Sequence, residues 1–318
     1  MTDHPTRCAD PLSPPGASSR LFTIDTIETN LTEYLWEQGF DVWLVDWRGS
    51  ILVPASEGKF NADECARYDY PAASQRIMEL TGADGLHWIT HCVGSITFFM
   101  SLLGGLENVK SVVALQVAAH PIPPVITRLK CGLHVPDVLD FLGVDSLTAE
   151  TYGDGLADRA FNAALRFTPG LPEGERCSSA VCLRCTFLYS LCWVHDNLNP
   201  ETHDAIHEMM GVANMEMMSH LARCAIHGKL LDSSGADTYL PHFDRLSMPI
   251  TLIQGEENQV WRLKATEKTY DELVERFGEK NYRRHVVRGY GHLDTVFGKN
   301  AVYDTYPLML DHLVRVGA

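Results

Sequence analysis

The chain has 318 residues, 45% of them hydrophobic and 21% charged, which is the composition of a globular protein with one large domain, or a domain and a sizeable insertion. A formal net charge of −15 argues against nucleic acid and anionic membranes as partners, because both would repel it. No run approaches the apolar length of a transmembrane segment, Met1–Arg7 has no apolar core of a signal peptide, and nine cysteines without framework spacing point to a reducing, cytoplasmic setting.

In chain order, residues 1–17 are rich in Pro and polar residues and read as an arm without regular structure. A helix is predicted over 25–38, begun near Thr26, Thr29 or Asn30 and ended by Gly39. A strand follows over Asp41–Asp46, then a helix over Cys65–Leu80 entered through Asn61. Leu86–His91 reads as a buried strand, 95–104 as an apolar helix, and Val109–Val117 as another buried strand. Strand and helix alternate here as in a parallel sheet with crossover helices. From 120 to 245 the rhythm breaks into helices and loops, the pattern of a helical lid inserted between 18–119 and 246–318. Strands resume at 249–255 and 282–287, with a charged helix over 264–277 between them.

The join between Leu86–His91 and the next helix carries the strongest chemical signal. Cys92 stands alone between strand and helix, with Thr90 and Gly94 two residues to either side. A nucleophile on so tight a corner points its side chain out above the carboxyl end of a sheet. This is the nucleophile elbow of the α/β-hydrolase fold, with Cys in place of Ser. A thiol nucleophile needs a base and a group that orients the base. His292 is the base this reading selects, because it lies in the glycine-flanked loop Gly289-Tyr-Gly-His292 after the last strand. The orienting position, three residues after Gly255, holds Asn258, with Glu257 as its rival. An amide can serve a thiol, whose proton is shared with histidine more readily than a hydroxyl's. The oxyanion would take the N–H of Val93 and a second donor from the Gly16–Ala17–Ser18 loop.

These residues carry a resemblance. Asp63–Ala72 and Tyr290–Gly298 resemble the stretches around nucleophile and histidine in acid-lipase-type α/β-hydrolases. Ser18–Ile27 and the Gly-x-Glu-Asn form of residues 255–258 are similar to the hydrolase region fused behind cholesterol-oxidase-like flavoproteins. The Cys elbow also resembles polyhydroxyalkanoate synthases and dienelactone hydrolases. The likeness runs from about residue 16 to the C-terminus. It implies an esterase, lipase or acyltransferase acting on a lipid-like or sterol-like substrate, or an accessory domain with a flavoenzyme partner. Such a family places strands before the oxyanion loop. No strand-like run precedes Gly16, so the early strands are expected to be missing and the chain to be the C-terminal piece of a longer one, or its sheet incomplete.

Weaker signals complete the reading. No flavin, nucleotide or other cofactor motif is present, and no metal site is expected. His203 and His207 share a helical face without the order of a zinc motif, and Cys182 and Cys185 read as buried structural thiols. Met209, Met210, Met215, Met217 and Met218 read as helix packing. Asp46 is structural, and Asp294 either supports His292 or caps a helix. The sequence sets no oligomeric state.

Overall fold

The computed structural model describes residues 8–12, 17–125, 127–128, 146–148, 175 and 177–317. Among them are eight strands: β1 (Cys8–Leu12), β2 (Asp41–Val42), β3 (Leu86–His91), β4 (Val109–Leu115), β5 (Ser146–Thr148), β6 (Val212–Asn214), β7 (Ile250–Gly255) and β8 (Tyr282–Val287). Six form one sheet in the order β2-β1-β3-β4-β7-β8, and every pairing in it is parallel. Parallel strands covered on both faces need apolar residues at successive positions rather than alternate ones. Accordingly, all six residues of β3 and all six of β7 are buried.

The expectation of missing early strands is corrected in part, because one strand, β1, precedes residue 16 among the described residues. Residues 8–12, assigned above to an unstructured arm, lie between β2 and β3 and pair with both. Asp10 and Pro11 hide the strand from any reading of hydrophobic pattern. Its hydrogen bonds come from neighbours on both sides, a source of order invisible in the local sequence. The predicted strand over 41–46 is shorter than expected, Asp41–Val42. Its chain then turns, and the Asp46 carboxylate accepts from the Ser19 N–H (2.9 Å) and from the hydroxyls of Ser19 (2.6 Å) and Ser50 (2.5 Å). Asp46 is structural, as read.

Among the described residues seven helices are long enough to label: α1 (Leu31–Glu37), α2 (Tyr70–Thr81), α3 (Val93–Gly104), α4 (Ala180–Tyr189), α5 (Met215–His227), α6 (Lys264–Phe277) and α7 (Tyr306–Arg315). Helix α1 starts later than the predicted residue 25, because Asn30 and Glu33 form a reciprocal capping box there. Asn61 and Glu64 form a second one, and that helix runs through a π turn (Cys65–Asp69) into α2. Helix α3 is buried from Val93 to Leu103, with Phe98 packed on Trp88 and Tyr70. Each such large apolar side chain contributes about 1.5–3 kcal/mol by leaving water, so α3 is fixed in the middle of the core.

The inserted region holds α4, α5 and, against the expectation of helices and loops alone, the short antiparallel pair β5–β6. Residues 126, 129–145, 149–174 and 176 of the predicted lid lie outside the described residues. Met209, Met210, Met215 and Met217 are buried in packing. Among the described residues no helix is long and apolar enough to cross a membrane.

Candidate active site

Cys92 sits between β3 and α3 with φ 54° and ψ −125°. A side chain rarely adopts a positive φ, and the residue persists there only because its surroundings hold it. The Cys92 N–H continues the ladder to Leu115 O (3.2 Å), and its carbonyl accepts the Ile96 N–H of the first helical turn (3.2 Å). Backbone on both sides of the strained corner is thus fixed. Thr90, beside the corner, bonds Ser95 through their hydroxyls (2.9 Å). Val93 opens α3, so its N–H belongs to the first turn, where helix amides lack intrahelical partners.

His292 lies on the loop after β8, as the sequence indicates. One ligand atom each from His91, Cys92 and His292 lies within 4.8 Å of the others, and all three residues are buried. His292 is held by its backbone. Its N–H and that of Leu293 donate to Cys192 O (3.1 and 2.6 Å), and its carbonyl accepts from Gln116 Nε2 (2.6 Å) and His91 Nε2 (2.9 Å). A carbonyl can only accept, so the Nε2 of His91 carries the ring proton. Both ring nitrogens of His292 are buried without a hydrogen-bond partner.

Neither residue expected to orient the base hydrogen-bonds its ring. Asn258 is buried, but its Oδ1 accepts the N–H groups of Val260 (2.9 Å) and Trp261 (3.0 Å), and its Nδ2 donates to Gln116 Oε1 (2.8 Å). Glu257 is exposed, and its backbone N–H bonds Tyr290 O (2.8 Å). The link from Asn258 to His292 therefore passes through Gln116 and ends on a backbone carbonyl. Asp294 braces the same loop: its Oδ2 accepts from Asn197 Nδ2 (2.7 Å), Gly291 N–H (2.9 Å) and Val194 N–H (3.3 Å), and it opens the short helix Asp294–Phe297. Burial raises its carboxyl to about 6 against these three donors.

Gln116 was missed by the sequence reading. It directly follows β4 at φ 77°, is fully buried, and satisfies all four of its amide positions: Nε2 on His292 O and Thr295 Oγ1, Oε1 from Gly255 N–H and Asn258 Nδ2. A polar residue closing the apolar run Val112–Leu115 is the signal that could have found it. His91, the last residue of β3, was missed as well.

The electrostatics are those of a buried, apolar pocket. Burial pushes the Cys92 thiol up to about 12, offset in part by the Trp261 indole and the Val93 N–H. Burial holds His91 down at about 4, and burial with His91 alongside holds His292 well below the usual imidazole range. All three are neutral at pH 7. Cys92 and His292 open on a cavity of about 20 Å³ walled by Tyr189, Cys192, Met210 and Val260, room for about one water. Of the expected oxyanion loop, Gly16 lies outside the described residues. Ala17 is buried and bridged to Met210, and the Ser18 N–H donates to Met209 O (3.1 Å).

The strand order, the elbow after β3 and the histidine after β8 together define an α/β-hydrolase fold. Solved structures agree: the monoacylglycerol lipase of Paleococcus ferrophilus superposes with a TM-score of 0.59 at 15% identity, over 98% of this chain and 96% of that one. In sequence the chain is similar to human "Lipase member K", 25% identical over 317 residues, 91% of this chain and 75% of that protein. It is also similar to "Lipase lipl-3" of Caenorhabditis elegans, 32% identical over 90 residues, 26% of this chain and 22% of that protein. No family model matches.

Proposed function

We propose that the chain is a thiol-dependent esterase or lipase, or an acyltransferase, acting on an ester or thioester of a hydrophobic acid. The observation that carries this reading is Cys92 on a positive-φ corner with His292 close by, beside an apolar cavity. Similarity to proteins named lipases supports the hydrophobic ester.

In this mechanism Cys92 Sγ attacks the carbonyl carbon while a ring nitrogen of His292 takes the thiol proton. With the thiol neutral at rest, proton transfer accompanies attack rather than preceding it. The oxyanion is held by the Val93 N–H, with the Gly16–Ala17 loop as source of a second donor. The tetrahedral species then breaks its bond to the alcohol or thiol. His292 returns the proton to that leaving group, and the acyl group remains on Cys92 as a thioester. Water or a second alcohol attacks next, with His292 again taking a proton and giving it to the departing sulfur. Asn258 acts on His292 at one remove, through Gln116. Glu257, on the exposed side of the loop, has no part in the ring's orientation.

The test is a chromogenic medium-chain ester presented to the chain and to Cys92→Ala. A burst followed by turnover is expected, with a loss of about 10⁴-fold or more in the variant. Full activity in Cys92→Ala would sink the assignment of the nucleophile.

One observation favours a second reading. A thiol pushed up to about 12 beside an imidazole with no orienting partner also suits a non-catalytic accessory domain, in the terms of the resemblance one serving a sterol-type flavoenzyme. A folded chain that shows neither burst nor turnover would select it.

A further inference from the structure

Cys177, Cys182, His195 and His203 have no part in the chemistry proposed above. They occur within the inserted region at the spacing Cys-x4-Cys-x12-His-x7-His. One ligand atom from each, two sulfurs and two imidazole nitrogens, lies within 4.8 Å of every other. A zinc ion with Zn–S near 2.3 Å and Zn–N near 2.0 Å sets tetrahedral edges of about 3.3–3.8 Å between its ligands. The edge from Cys182 Sγ to His195 Nε2 is 3.4 Å.

Two further features point to a ligand. The outer nitrogen of His195, Nδ1, meets Glu175 Oε2 at 2.5 Å, and the same oxygen accepts the His195 backbone N–H at 3.1 Å. A carboxylate on the far nitrogen fixes the tautomer that leaves Nε2 bare toward the two sulfurs, as in carboxylate–histidine–zinc arrangements. The Nε2 of His203 is buried with no hydrogen-bond partner. Such an atom costs about 1–3 kcal/mol unless something meets it. The Trp193 ring packs edge-on against both imidazoles, 6.3 Å from His195 and 6.5 Å from His203, and limits their rotation.

We propose that Cys177, Cys182, His195 and His203 bind one zinc ion as a structural Cys2His2 site. Two thiolates and two imidazoles select zinc over calcium or magnesium, which take oxygen ligands. Four protein ligands leave no open position, so the ion holds structure and performs no chemistry. What it holds is the base of the other cluster. Between the second and third ligands, Cys192 O receives the N–H groups of His292 and Leu293, and the Val194 N–H binds Asp294. The metal thereby fastens the inserted region to the His292 loop. This proposal departs from the sequence reading, in which no metal site is expected and His203 and His207 only share a helical face. His203 turns to His195, whereas His207 is exposed and bonds Asp204 O. Cys182 joins Cys177 rather than Cys185.

The experiment is metal analysis of the full chain, expressed with zinc and dialysed. One zinc per chain is expected. Cobalt in its place is expected to give the ligand-field and sulfur charge-transfer bands of a tetrahedral thiolate site, a readout on the folded wild-type chain that needs no variant. Cys177→Ser and His203→Ala are each expected to lose the ion, and Cys92→Ala to keep it. Glu175→Gln is expected to weaken it about 10–100-fold. Folded wild-type chain without zinc, zinc kept by both ligand variants, or a Cys177–Cys182 disulfide found by mass spectrometry of alkylated native protein would each overturn the proposal.

Discussion

At Cys92 the sulfur lies in a buried, apolar pocket, and burial raises its thiol; at Cys177 a neighbouring thiol and His195 lower it. The residue types are the same in both places, and the surroundings differ. The elbow cluster is assembled by backbone: a strained corner, a ladder hydrogen bond, and a histidine held by its own N–H and carbonyl while its ring is left bare. The cluster of the inserted region is assembled by side chains from one stretch of sequence, converging on a point and braced by a carboxylate. Backbone strain is the expected support for a reacting group. Convergent soft donors are the expected support for a metal.

Four further tests bear on this contrast, in order of expected size. Gly255→Ala should act most strongly on the elbow side, because a Cβ there would overlap the carbonyl oxygens of Tyr290 and Gly291. A loss of about 3 kcal/mol in urea unfolding is expected, with displacement of the His292 loop; a neutral result would mean that this loop is softer than its hydrogen bonds imply. Asn258→Ala removes the acceptor for two buried N–H groups and one partner of Gln116. About 1–3 kcal/mol of stability should go with it, and Asn258→Asp should bring no gain in ester turnover, since no bond to the imidazole is made. A large gain would show that the loop rearranges to place that side chain on the ring.

The third test reads the thiol itself. Below its raised value the thiolate fraction of Cys92 grows about tenfold per pH unit, so alkylation at Cys92 should climb steadily from pH 7 to pH 10. A rate already flat at pH 7 would mean a preformed thiolate–imidazolium pair and would erase the contrast. The smallest effect belongs to Glu257→Gln. At an exposed position, a change within about 0.5 kcal/mol and unaltered turnover are expected; a clear fall in kcat would return Glu257 to the role of orienting residue.

Much of this molecule is legible in the sequence. The strands over 86–91, 250–255 and 282–287, the helix over 264–277, the Cys92 corner and the His292 loop are written in hydrophobic runs, helix caps and glycines that act over a few residues. These are local signals, and local signals survive without a three-dimensional context. Tertiary structure alone decided the rest. Strand β1 exists because two neighbours supply its ladders, although Asp10 and Pro11 speak against a strand. Gln116 becomes the hub between Asn258 and His292 because β4 and β7 end side by side. Cys177, Cys182, His195 and His203 meet only when α4 and the turns after it fold back on one another. Periodicity shows which face of an element is buried, whereas the partners that face meets depend on contacts distant in sequence.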